Sequence, residues 1–142
     1  MRVLVVDDDP EIRETLSLIL RDEGYDLSQA ADGAEAIERM QATTEPMLVL
    51  LDMWMPIMNG EMTLLATLAQ DALWSRICFI VMTANPQLMS PRVREILDLY
   101  TIPLLVKPFD LDPFVEVVLK RVQQFTGVPA GQRARRSSGA LG

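Results

Sequence analysis

Five side chains of this 142-residue sequence have the chemistry to act together. Asp7, Asp8 and Asp52 are acids placed just after apolar runs, Thr83 brings a hydroxyl to the end of another such run, and Lys107 brings a cation to the end of the last. Carboxylates crowded into one place repel one another unless a cation sits among them. A hard divalent ion, Mg²⁺ or Mn²⁺, takes oxygen ligands and usually keeps some of its water. Asp8, Asp52 and the backbone carbonyl of Trp54 could supply three such oxygens, with Asp7 alongside. A carboxylate held there can attack phosphorus, provided that charge on the equatorial oxygens is neutralised. Lys107 suits that neutralisation, and the Thr83 hydroxyl can hydrogen-bond a further oxygen. The chain has no histidine, which removes the usual general base and the usual transition-metal ligand. Its chemistry must run on carboxylates, hydroxyls and lysine.

The elements that would bring these residues together follow from periodicity. Short apolar runs alternate five times with segments of helical spacing, the pattern of a parallel α/β sheet. Val3 to Val6 reads as the first strand. Asp9-Pro10 then supplies a helix cap followed by proline at the first helical position, and Ile12, Leu16, Ile19 and Leu20 form that helix's apolar stripe. Gly24 suits a left-handed residue after its end. Asp26 to Ala31 reads as the second strand and Ala34 to Gln41 as a second helix. Met47 to Leu51, closed by Asp52, is wholly apolar, as a central strand covered on both faces should be. A turn through Met55-Pro56-Ile57-Met58-Asn59-Gly60 leads to a helix carrying Leu64, Leu65 and Leu68. Ile77 to Met82 forms the fourth strand, Ser90-Pro91 caps the fourth helix, and Pro103 to Val106 makes a fifth strand suited to an edge. The last helix, from about Leu111 to Gln124, places Leu111, Phe114, Val115, Val118 and Val122 on one face. The alternation argues for a parallel α/β sheet, and the fold taken for it is a three-layer, doubly wound, flavodoxin-like domain with five helices and the strand order 2-1-3-4-5. In such sheets ligands bind at the carboxyl edge, where the strand order reverses, and the first and third strands are neighbours there.

Composition narrows the partners. The formal net charge is −7, and the three arginines beyond Phe125 are unmatched by any acid, so residues 1–125 carry −10. Such a surface repels phosphate backbones, which argues against direct nucleic-acid binding. The longest wholly apolar runs, Met47 to Leu51 and Ile77 to Met82, are far below the roughly 20 residues of a membrane-spanning helix. Met1 leads directly into a strand without a secretory leader, so a cytoplasmic location is expected. Cys78 sits inside an apolar run and reads as a buried hydrophobe. Residues 126–142 turn to Gly, Ser, Ala and Arg without apolar period and read as a disordered tail or linker after a domain at 1–125. That tail is too short to form an output domain.

Val-Val-Asp7-Asp8-Asp9-Pro10, Leu-Asp52-Met-Trp-Met55-Pro56-Ile-Met-Asn-Gly60, Met82-Thr83-Ala84 and Val-Lys107-Pro108-Phe109 resemble the four signature blocks of response-regulator receiver domains of two-component signalling, in particular the stand-alone, chemotaxis-regulator-like members. The resemblance covers residue 1 to about 125, and four ordered blocks are specific where any one alone is weak. It implies that Asp52 accepts a phosphoryl group, that Asp7 and Asp8 belong to the metal site, that Thr83 is the switch hydroxyl and that Lys107 faces the phosphate across a cis bond to Pro108. It further implies a sensor histidine kinase or phosphotransfer protein as donor. Self-catalysed loss of the phosphoryl group and contact output through the surface of the fourth helix, fifth strand and fifth helix belong to the same implication, while a homodimer through the last two strand-helix units stays open. Leu104 departs from the pattern, since the family usually carries an aromatic residue three positions before the lysine, and Trp54 and Asn85 occupy variable flanking positions.

Two other readings stand beside it. Asp7-Asp8-Asp9 contains the Asp-x-Asp spacing of haloacid-dehalogenase-like phosphatases, although Asp9 also serves as a helix cap and the late strand ends in Lys107-Pro108 rather than an acidic pair. Leu104 makes a constitutive scaffold, indifferent to phosphate, conceivable.

Overall fold

The computed structural model describes residues 1–126. Its five strands are β1 (Arg2–Val6), β2 (Asp26–Ala30), β3 (Met47–Asp52), β4 (Ile77–Thr83) and β5 (Leu104–Val106). They form one parallel sheet of order β2-β1-β3-β4-β5. The helices are α1 (Pro10–Asp22), α2 (Gly33–Gln41), α3 (Gly60–Leu68), α4 (Asp71–Trp74), α5 (Pro91–Leu99) and α6 (Leu111–Thr126), with a 3-10 turn at Pro86–Leu88. The expected doubly wound architecture and strand order are present. The expected count of five helices is corrected to six, because α4 is a single turn between two helix-scale segments, too short for a periodic signal.

Right-handed crossovers distribute the helices. The chain leaves β1 toward one edge and, after β2, returns past β1 toward the other. α1 therefore lies on one face while α2, α3 and α5 lie on the opposite one. The core is accordingly double. Val3, Val5, Leu48, Leu50, Ile80 and Met82 pack under α1 and α6, whereas Leu4, Val6, Val49, Leu51, Phe79 and Val81 pack under α2 to α5. Every residue of β3 and β4 is buried, as central strands covered on both faces require.

Local signals set the boundaries. Asp9 caps α1 by accepting from the Glu11 amide at 2.9 Å, and Ser90 caps α5 by accepting from Val93 at 3.2 Å. Gly24 follows α1 with φ of +92°. In α6, Phe114, Val118 and Val122 are buried, but Leu111 is 48 % exposed. Its expected place on the buried face is corrected: as the first residue of the helix it precedes the turn that the sheet covers. Thr126 is the last residue of α6, so the helix reaches the first residue of the expected tail, and the remainder of that tail, 127–142, lies outside the described residues. Ile102 is buried and Tyr100 packs edge-on to Trp74 at 4.8 Å, while Leu99 and Leu104 are exposed. That apolar stretch is thus split between core and surface.

Candidate phosphoryl-acceptor and metal site

The parallel sheet brings the carboxyl ends of β1, β3, β4 and β5 to one rim. Asp7 follows the last residue of β1, Asp52 ends β3 in register with Met82 of β4, and Thr83 ends β4. Carboxylate oxygens of Asp7, Asp8 and Asp52 all lie within 4.8 Å of one another. Asp7 is buried and Asp8 exposed, and Asp52 keeps 5 % of its surface accessible, so the cluster opens on the Asp8 side. Lys107 reaches across from β5, its Nζ 2.5 Å from Asp7 Oδ2 and 3.4 Å from Asp52 Oδ1. The Lys107–Pro108 bond is cis, as the resemblance implies. The Lys107 amide donates to the Thr83 carbonyl at 2.8 Å, which holds the lysine beside the end of β4.

Burial and charge work in opposite directions here. Burial, then the neighbouring Asp7 charge, push the Asp52 carboxyl up to about 6, against the pull of Lys107. Burial opposes charge on Lys107, but its hydrogen bond to Asp7 and the charges of Asp52 and Asp7 override that and raise its pKa. One lysine therefore does not balance three acids. The donor set is all oxygen, the spacing lets the acids share one ion, and burial together with the Asp7 charge disfavours the Asp52 carboxylate despite Lys107. These residues fit a hard divalent cation.

The remaining expected residues are placed as follows. Thr83 is fully buried and its Oγ accepts from the Asn85 amide at 3.1 Å, so the hydroxyl closes its own loop. Trp54 follows Asp52 by two residues and is 46 % exposed. Asp9 is engaged as the α1 cap, which removes the second acid of the Asp-x-Asp reading. Gly60 lets the loop after β3 fold back, because a Cβ there would lie 2.4 Å from the Asp52 carbonyl oxygen and 2.7 Å from Met53 Cα. Two features escaped the sequence reading. Arg13 Nη1 donates to the Asp7 carbonyl at 2.7 Å, a contact signalled only by a basic residue one turn beyond the α1 cap. Ile57 is left-handed, with φ of +66°, a conformation that a β-branched residue does not advertise.

The description of the response regulator receiver domain matches residues 3–119. The chain belongs to the response regulator receiver family. It is 34% identical over 132 residues to the transcriptional regulatory protein PdtaR of Mycobacterium tuberculosis, covering 89% of this chain and 60% of that protein. It is 48% identical over 59 residues to the DNA-binding response regulator MtrA of Mycolicibacterium smegmatis, covering 42% of this chain and 25% of the relative. Such curated relatives are longer than this receiver, which spans between a quarter and three fifths of their length. Among solved structures, a CheY-like receiver domain protein from Methanospirillum hungatei superposes with a TM-score of 0.76 at 28% identity, covering 89% of this chain and 98% of that one. The response regulator TrrA of Thermotoga maritima, solved in complex with Mg²⁺ and BeF, gives 0.65 at 32% identity, covering 84% and 97%. This receiver domain is thus a signalling module of two-component systems, and no helix among its described residues is long and apolar enough to cross a membrane.

Proposed function

We propose that this receiver domain accepts a phosphoryl group on Asp52 from a phosphohistidine of a sensor histidine kinase or phosphotransfer protein. The observation that carries the reading is the Asp52 carboxylate grouped with Asp7 and Asp8 at the rim of the sheet, with the Lys107 ammonium reaching both Asp7 and Asp52. An Asp52 carboxylate oxygen attacks phosphorus, the P–N bond breaks, and the imidazole nitrogen leaves with the electron pair; an acyl phosphate results. Lys107 pairs with charge on the transferred group, and the Thr83 hydroxyl, released from the Asn85 amide, turns to one of its oxygens. Asp7, Asp8, Asp52 and the Trp54 carbonyl would hold Mg²⁺ or Mn²⁺, which would supply charge neutralisation at phosphorus. Water later attacks the acyl phosphate, so the module resets itself without a separate substrate.

Rearrangement of Thr83 shifts the chain toward α5 and so alters the surface of α5, β5 and α6, where a downstream protein or a second copy binds. The charge of −10 over residues 1–125 favours a protein partner over nucleic acid, and a cytoplasmic location and a receiver domain over residues 1–125, its last helix reaching Thr126, complete the reading. Incubation with acetyl phosphate and Mg²⁺, followed by intact mass, tests it. One phosphoryl group per chain, absent in Asp52→Asn, is expected; repeated turnover of phosphate monoesters dependent on Asp7 overturns it.

A further inference from the structure

We propose that Arg13 is a positioning residue for the divalent cation, acting by fixing the peptide plane between Asp7 and Asp8. The inference rests on the metal reading above and extends it to a residue outside the acid cluster. The polar atoms of Asp7 have separate partners. Its amide donates to the Ala30 carbonyl at 3.1 Å, its Oδ1 accepts from the Asp9 amide at 3.0 Å, and its Oδ2 faces Lys107. Its carbonyl, just past the last residue of β1, accepts from Arg13 Nη1 at 2.7 Å. The guanidinium is itself braced, with Nε donating to Gln29 Oε1 of β2 at 3.3 Å and Gln29 Nε2 donating to Glu14 at 3.3 Å.

A peptide is planar, so the direction of the Asp7 carbonyl sets that of the Asp8 amide and the path on which the Asp8 Cα leaves. This matters because Asp8 is exposed and its carboxylate makes no hydrogen bond or ion pair among the described residues. With no side-chain partner to hold it beside Asp7 and Asp52, its place there depends on where the backbone puts the Asp8 Cα. A role through charge predicts the opposite behaviour: a guanidinium near the site repels a dication, and removing it would tighten binding.

Mg²⁺ titration of the full chain at constant ionic strength, followed by tryptophan fluorescence in a Trp74→Phe background that leaves Trp54 as the single reporter, separates the two, with melting in chelator as the check on folding. Arg13→Met, which keeps the aliphatic stem, is expected to weaken Mg²⁺ binding on the order of tenfold, and Arg13→Lys to recover part of the loss through its single ammonium donor. Gln29→Ala, which frees the guanidinium from its brace, is expected to weaken binding by a smaller factor and carries the test if Arg13→Met fails to fold. Unchanged or tighter binding in Arg13→Met, or in Gln29→Ala where that variant carries the test, overturns the assignment while leaving the metal site intact. A parent protein whose fluorescence ignores Mg²⁺ overturns the metal reading and the assignment with it.

Discussion

Asp52 is the residue where folding and function pull apart. Its carboxyl is raised from an ordinary 3.8 to about 6 by burial first and the Asp7 charge second. Because the folded pKa is the higher, the native state binds more protons than the unfolded state between about pH 4 and 6, and stability falls as pH rises through that window. In chelator, Asp52→Asn is therefore expected to be more stable than the parent by on the order of 2–3 kcal/mol above pH 7. The advantage should shrink as pH falls through that window and vanish only below about pH 3, where the parent carboxyl is neutral in both states; urea melts across pH measure it, and a constant difference contradicts the raised pKa of Asp52. Ile57 is the second such residue. It is 83 % exposed with φ of +66°, so its β-branched side chain bears left-handed strain with little burial to offset it. Ile57→Asn is expected to gain about 1 kcal/mol, read as a higher urea midpoint.

The elements differ in how much of the site they set. The loop joining β3 to α3 returns against the backbone of Asp52 and Met53, and Gly60 is the point of closest approach. Gly60→Ala forces backbone apart rather than a side chain, and a loss of about 1–3 kcal/mol is expected, with weakened Mg²⁺ binding because Asp52 shifts. Normal melting and normal Mg²⁺ binding would contradict that account. α6 contributes through packing. Phe114 is fully buried and stacks on Phe109 at 5.3 Å, so Phe114→Ala should cost about 3–5 kcal/mol, whereas Leu111→Ala should stay within about 0.5 kcal/mol. Comparable losses for the two would restore Leu111 to the buried face. Apolar periodicity placed both on one stripe, and only the sheet's extent distinguishes them.

Across the whole molecule, fold and site were legible to different depths. Alternating runs made the parallel α/β sheet legible, whereas its strand order was taken for the fold and is observed in the structure; the five chemical residues stood out by their places at strand ends. What periodicity could not show was geometry that depends on backbone: the single turn of α4, the left-handed Ile57, and the Arg13 contact to a carbonyl that every residue possesses. Leu104 belongs to the same category. It is exposed at 36 % on the edge strand, where sequence marked only a departure from the family's aromatic residue. The phosphoryl-acceptor account requires that one carboxylate of twenty acids, and no other, carry the acyl phosphate. Reduction of acetyl-phosphate-treated protein with borohydride converts an acyl-phosphate aspartate to homoserine, which peptide mass mapping locates. The account predicts homoserine at position 52 alone and only when Mg²⁺ is present; homoserine at position 7 or 8, or at none, would contradict it.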